Sequence, residues 1–481
     1  MSLDPFASLC EIAQSVREKK VSARERLEVH IERIQRLEPC LNAFIHLDFE
    51  GARTRAGQID AAVEHGESLG PLVGVPVTVK GSIDVAGWPS PAGSLLRKDL
   101  VASSDAPLVE RLRAAGAVLV GNTNTPEFLM AYETDNRLKG RTSNPWSLER
   151  SAGGSSGGES AAIASGCSAG GVGSDGGGSI RVPAHFCGIC GLKPTPGRIP
   201  ATGHFPPSGG AFSWIGVVGP MARNVGDLRL LFKVMAGPDP GDPMSAPAPV
   251  VEVSRKQLEK TRIGLLESDA LPPPSRETRA TVELAAKLLE SVGFTVEPIR
   301  LSGLDRALDL WWFFFGAVVS HLLGYSVAGK EALLSSQLKE YLASASDPNL
   351  PRGSRPRSPL AVRLDLDGLL AAAAARDAVR ESLIRQICPP AVLLSPVSSG
   401  PAFRHGGGTY SPGTGYLDTM CYAQWLNLTG FPGTSIPVAL SAEGLPIGVQ
   451  IIGRPYDDEL VLAVSEALES ARGPLPRPPI P

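Results

Sequence analysis

Two glycine–serine runs govern what this chain can fold into: Gly153-Gly154-Ser155-Ser156-Gly157-Gly158 and Gly173-Ser174-Asp175-Gly176-Gly177-Gly178-Ser179-Ile180-Arg181. Consecutive glycines weaken helices and strands, because each gives up more backbone freedom on ordering than any other residue. Such runs are kept where the backbone must curl closely around something, and both of these deliver a serine. Lys80 stands upstream, at the end of Val77-Thr78-Val79. Together the two serines and the lysine suggest an active site.

The surrounding periodicities point to an α/β fold. Residues 22–38 read as an amphipathic helix, with Ser22 and Glu25 as a capping box and Pro39 as its stop. Val77–Val79 and Ala117–Val120 read as strands, and Pro107–Ala115 between them has helical spacing. The rhythm recurs as helices at 160–164, 228–236 and 278–292 and strands at 262–266 and 294–296. A mixed central β-sheet covered by helices on both faces follows, as one continuous domain over 1–481. Within it, 1–65 is an N-terminal helical segment, 66–237 the catalytic core, and 238–390 a variable region shaping the pocket. Residues 391–473 return to the core, and 474–481, PLPRPPIP, trail as an extended tail. Pro-rich breaks at 238–250 and 349–359 bracket a region less bound to the core.

Charge and cysteine usage exclude several functions. With 46 basic and 49 acidic residues there is no excess charge to gather nucleic acid or a polyanionic substrate. The N-terminus lacks the basic-then-apolar order of a secretory signal, and seven scattered cysteines form no disulfide framework, so a cytoplasmic location is expected. Cys187-Gly-Ile-Cys190 is a lone CxxC without a second pair, which gives no metal site. Residues 310–329 carry no formally charged side chain over twenty positions, a length that would span a bilayer. Ser320, His321 and Ser326 interrupt it, and a single span in mid-chain would split the protein across the membrane. It is therefore read as a buried helix or pocket wall rather than a membrane contact, and a pocket so lined would take a bulky apolar group.

Three serine-hydrolase templates compete. The nucleophile elbow G-x-S-x-G is matched at 166–170, around Ser168, and at 154–158, but wants a late histidine, for which His405 is the only residue after 321. Ser336-Gln-Leu-Lys339 matches S-x-x-K in a polar helical stretch that reads as a solvated face. A phosphate-cradling loop fails, because neither glycine run is followed by Lys-Ser or Lys-Thr.

The third template is the amidase signature family, which the chain resembles over nearly its whole length. Gly70 to Lys80 resembles the family's lysine motif and Gly153 to Ala161 its serine–glycine-rich signature. Asp175 to Arg181 with Cys187 to Thr195 is similar to its nucleophile block. Asn427-Leu-Thr-Gly-Phe-Pro432 with Gly444 to Gln450 is similar to its closing segment. The resemblance implies Ser179 as nucleophile, Ser155 as a bridging serine on a cis peptide bond after Gly154, and Lys80 as base, with no cofactor. Backbone N–H groups of Gly176, Gly177, Gly178 and Ser179 would form the oxyanion hole. A lysine serves as a base only when neutral, and lowering its pKa from about 10.4 to near 7 represents about 4.6 kcal/mol against its charged form. Burial would supply that shift. Gly81 departs from the family, where many members carry Asp or Glu after the lysine. Asp175 and Arg181 are expected to pair with each other or with the loop backbone, as structural support for it.

The leading expectation is hydrolysis of a carboxylic amide, with carbamates and esters presenting the same carbonyl geometry and an apolar aryl or alkyl substrate suiting the Trp311–Phe315 cluster. The second is the glutaminase subunit of a tRNA-dependent amidotransferase. Against it, the acidic residue that holds glutamine's amino group in that resemblance falls at Met420. The third is a non-catalytic scaffold, against which the retention of Lys80, Ser155 and Ser179 counts. A monomer or homodimer acting on a small molecule is the expected assembly.

Overall fold

The computed structural model describes residues 3–207, 209–346, 364–388, 391–408, 410 and 416–480. Its strands are β1 Phe44–Leu47, β2 Pro76–Lys80, β3 Val118–Thr123, β4 Ser143–Asn144, β5 Ser147–Ser151, β6 Gly170–Asp175 and β7 Cys190–Lys193. They continue as β8 Val217–Ala222, β9 Arg262–Glu267, β10 Thr295–Arg300, β11 Val392–Pro396, β12 Gly433–Leu440 and β13 Pro446–Gly453. Eleven of them form one sheet in the order β1-β3-β2-β6-β8-β7-β12-β13-β11-β9-β10, and β4 pairs with β5 apart from it. Pairing is parallel for β2 with β3 and with β6, and for β9 with β10 and with β11. The remaining pairs are antiparallel, so the sheet is mixed as expected.

Helices cover both faces, and the β-strand alternation shows it at β13. A Cβ placed on Gly453 would stand 2.6 Å from Val461 of the helix Asp458–Arg472, whereas one on Gly448 would approach His185 of the helix Arg181–Cys187. Positions an odd number apart point to opposite faces, so these helices lie on opposite sides. Strands β2, β3, β6, β8 and β13 are buried throughout, which is why they read as apolar and glycine runs rather than alternating patterns.

Several expectations change in detail. The helix Ala23–Leu41 has its Ser22–Glu25 capping box but runs past Pro39 to a left-handed Asn42. In the last turn a proline forfeits little of the helical ladder, so it does not stop the helix there. The 1–65 and 238–390 segments do more than flank the core, since β1, β9 and β10 are strands of the same sheet. The Pro-rich stretch 238–250 is tied down: Ala201 N–H donates to Asp242, and Arg111 to the carbonyls of Gly237 and Pro238. The break at 349–359 lies outside the described residues. The tail forms no helix or strand through 480, yet does not trail, because Arg477 bridges Asp4 and lies 4.3 Å above the Phe6 ring, and Ile480 packs on the core.

The apolar stretch is a helix, Leu304–Trp312, continued by a π-helical turn, Phe313–Val318, and the helix Val319–Val327. Together Leu304–Val327 are long and apolar enough to cross a membrane, but 61% of the most apolar window is buried in the protein. Trp311, Phe314 and Phe315 belong to a second apolar cluster with Tyr132, Tyr416 and Trp425, set against the glycine loop after β6.

Candidate active site

Parallel neighbours β3, β2 and β6 end side by side, and their last residues are Thr123, Lys80 and Asp175. The carboxyl ends of parallel strands are where loops open a crevice, and both glycine runs converge on this one. The first supplies the turn into the helix Gly157–Ala164, with a cis peptide bond between Gly154 and Ser155. The second follows β6 directly and leads into the helix Arg181–Cys187.

Lys80 is fully buried, and its Nζ lies 2.7 Å from Ser155 Oγ, 2.9 Å from both Ser156 Oγ and Ser174 Oγ, and 3.3 Å from the Ser174 carbonyl. Burial lowers its pKa from 10.5 to about 7, although the negative charges of Asp175 and Glu159 oppose the fall. A neutral amine has two N–H bonds and one lone pair, so one of the three hydroxyls must donate to it. Glu159, also fully buried, accepts from the hydroxyls of Thr78 and of Thr123, the latter at 2.8 Å. Burial raises its pKa from 4.5 to about 7, moderated by those two hydrogen bonds and by Lys80.

Ser179 is only partly buried, and its Oγ has no hydrogen-bond partner among the described residues. Its carbonyl accepts from Ser156 N–H at 3.2 Å, which ties the two serine turns together. The Asp175 carboxylate braces the loop between them: it accepts from the N–H groups of Gly178 at 2.6 Å and Ile180 at 3.1 Å. Arg181 meets the same carboxylate in a fork, at 3.0 Å through Nε and 3.1 Å through Nη2, with both side chains wholly buried. Burial works against the charge of Asp175, but the Arg181 guanidinium overrides it and holds the carboxyl well below its usual range. The expected pairing of these two residues is therefore present.

The amides free to receive a ligand oxygen are fewer than the sequence indicated. Gly178 N–H is spent on Asp175, so Gly178 serves the site through its φ of 120°, a conformation that L side chains rarely adopt. The N–H groups of Gly176, Gly177 and Ser179 have no acceptor among the described residues, and Gly176 and Ser179 are partly exposed. They are the amides free to meet a ligand oxygen.

Apart from Ser156 of the 154–158 match, the other sequence templates fall outside this cluster. Ser168 is buried, with its Oγ 3.0 Å from Thr78 Oγ1, and donates to the Gly170 carbonyl. His405 pairs with Glu133 at 2.9 Å, and Ser336 and Lys339 are exposed. Among the described residues no group of three His, Cys, Asp or Glu is arranged to hold a metal ion. Sequence reasoning missed Ser156, Ser174 and Glu159 as parts of the site, and with them Tyr132 and Asn427, which donate to the carbonyls of Gly177 and Asp175. The hydroxyls sat inside the quoted glycine runs, but Glu159 and Tyr132 left no local signal beyond a charge in a small-residue helix and an aromatic in a loop.

A family model described as Amidase matches residues 25–462. A glutamyl-tRNA(Gln) amidotransferase subunit from Carboxydothermus hydrogenoformans is 33% identical over 476 residues, covering 96% of this chain and 97% of the relative. Among solved structures, a bacterial aryl acylamidase superposes with a TM-score of 0.82 at 27% identity over 97% of this chain and 96% of its own. The 6-aminohexanoate cyclic dimer hydrolase superposes with a TM-score of 0.84, also at 27% identity, over 99% of this chain and 100% of its own.

Proposed function

The chain belongs to the amidase family, whose members hydrolyse amide C–N bonds, and on that premise we propose that it does so through an acyl-enzyme on Ser179. Ser179 Oγ attacks the carbonyl carbon while its proton passes to Ser155 Oγ, and the Ser155 proton passes to Lys80 Nζ. The oxygen that becomes negative accepts from the N–H groups of Gly176, Gly177 and Ser179. Collapse of the tetrahedral species breaks the C–N bond, and the amine leaves with the proton returned from Lys80 through Ser155. Water then repeats the attack on the Ser179 ester and releases the carboxylic acid. The observation that carries this reading is the buried Lys80 Nζ, 2.7 Å from Ser155 Oγ, with a pKa lowered to about 7.

Two substrate classes have separate support. Similarity to the glutamyl-tRNA(Gln) amidotransferase favours a partner-bound chain that hydrolyses glutamine, and it reverses the order drawn from the sequence alone. The aromatic cluster set against the glycine loop favours an apolar amide: Met420 is buried in it, one turn before Gln424, whose amide donates to Tyr132 Oη at 3.2 Å. Both classes share the bond broken and the residues that break it. The test gives purified chain glutamine and, separately, aryl acylamides, and quantifies ammonia and arylamine. Ammonia from glutamine alone assigns the amidotransferase role, arylamine release assigns the apolar amidase, and neither activity surviving Ser179→Ala supports the nucleophile. Wild-type turnover in Ser179→Ala would end the proposal.

A further inference from the structure

Three successive carbonyls of the glycine loop are each held by a side chain from a different element. Asn427 Nδ2 donates to the Asp175 carbonyl at 2.9 Å, Trp311 Nε1 to that of Gly176 at 2.9 Å, and Tyr132 Oη to that of Gly177 at 2.6 Å. In a trans peptide the carbonyl and the following N–H point in opposite directions. The only cis bonds among the described residues are Gly154–Ser155 and Phe205–Pro206, so fixing each of these carbonyls aims the next N–H the other way. The Asp175 and Gly176 carbonyls thus set the N–H groups of Gly176 and Gly177, two of the three amides left without an acceptor.

The fit is close on the same side. A Cβ on Gly177 would stand 2.4 Å from Trp311 Cζ2 and 2.9 Å from Tyr132 Oη. Trp311 is itself locked by stacking on Phe315 at 4.8 Å between ring centroids and 13° between planes. The π-helical turn Phe313–Val318 follows Trp311 immediately, and Tyr341 Oη donates to the Phe315 carbonyl within it. A π-turn shifts the helical register by one residue and recurs at functional sites. Burial raises the pKa of Tyr132, so its hydroxyl keeps the proton it donates.

We propose that Trp311 is a positioning residue that aims the Gly177 amide at the oxygen where charge develops. Three glycines in a row have no preferred orientation of their own, and the indole donor supplies it at this peptide without touching the reacting atoms. The proposal rests on Ser179 as nucleophile, and the experiment separates the two.

The full-length chain is treated with a small fluorophosphonate, and the rate of Ser179 modification is followed by intact mass. In that reaction the Ser179 Oγ–P bond forms, the P–F bond breaks, fluoride leaves, and the serine proton goes to Lys80 through Ser155. Removing one oxyanion donor outright costs about 100- to 1,000-fold; losing its aim is expected to lower the maximal rate constant about tenfold in Trp311→Phe, which keeps the ring stack. The inhibitor concentration at half-maximal rate and the thermal midpoint should stay near wild type, a split that a packing defect would not give. A wild-type rate constant in the folded Trp311→Phe variant would overturn the positioning role alone. A wild-type chain left unmodified at Ser179 would instead overturn the nucleophile assignment, and the positioning role with it.

Discussion

The acid limb of the reaction belongs to Lys80, and its position follows from the structure. Burial takes this amine from 10.5 to about 7, a difference of about 5 kcal/mol against the charged form. If neutral Lys80 is the base, the rate of Ser179 modification should fall about tenfold per pH unit well below 7 and level off above 8. The shift has a second signature in stability. Between pH 7 and 10.5 the unfolded chain holds a proton on this lysine that the folded chain does not. Stability from this group is therefore fully present above 10.5, decreases as the pH falls, and is lost once the folded pKa near 7 is reached. Lys80→Met removes that dependence: over this window the wild-type unfolding free energy should gain about 1.4 kcal/mol more per pH unit than the variant's. Glu159 acts with the opposite sign and in a different window, since its raised pKa adds stability below 4.5 that is lost as the pH climbs through about 7. Lys193, also lowered to about 7, is common to both proteins and cancels in the comparison. Urea melts at half-unit intervals and modification rates at the same pH values supply both measurements. An acid limb near pH 10, or Lys80→Met melts with the wild-type pH slope, would refute the buried neutral base.

Glu159→Gln removes a negative charge that raises the pKa of Lys80, so the acid limb should move to lower pH; a limb moved to higher pH would contradict the electrostatic account. Asp175→Asn leaves Arg181 charged and buried, and breaking such a pair costs about 3–5 kcal/mol. The variant's urea midpoint should fall accordingly, and Ser179 modification should slow because one of the two oxygens that accept from Gly178 and Ile180 becomes an amide nitrogen.

The legible parts of the molecule were those that glycine, capping and strand-end lysine mark locally. Lys80 at the end of β2 and the two serine turns could be read because a buried parallel sheet leaves continuous apolar runs that stop where its loops begin. The Ser22–Glu25 cap was readable for the same local reason, while Pro39 misled because a proline's cost depends on how much helix follows it. Contacts between distant segments left no trace in either partner's neighbourhood. Gly178 N–H could be assigned to Asp175 only once the loop's curl was known, and nothing around Trp311 pointed to a carbonyl 135 residues away. The tail was misread likewise, since its Arg477 finds Asp4 and Phe6 only after both termini reach the same face.

Gly81 follows Lys80 directly at the end of β2. Family resemblance places an acidic residue after the lysine, which suggests that Gly81→Asp would restore a missing contact. The structure implies the reverse. A Cβ at Gly81 would stand 2.7 Å from the Thr123 carbonyl oxygen and 3.1 Å from Ile45 Cγ2, and the first of these is backbone. Gly81 N–H already donates to that carbonyl at 2.9 Å, so relieving the clash means parting strand ends that are bonded together. Thr123 also donates its hydroxyl to Glu159, so moving it disturbs the carboxylate that faces Lys80. Negative charge near the lysine is already supplied by Asp175 at the end of β6 and by Glu159 from the helix Gly157–Ala164, and a side chain at Gly81 would meet backbone. Overpacking of this kind costs about 1–3 kcal/mol, and the added charge would raise the pKa of Lys80. Gly81→Asp should therefore melt at lower temperature and show its acid limb at higher pH than wild type. A variant as stable as wild type, and faster at pH 7, would show that the site has room for the missing carboxylate after all.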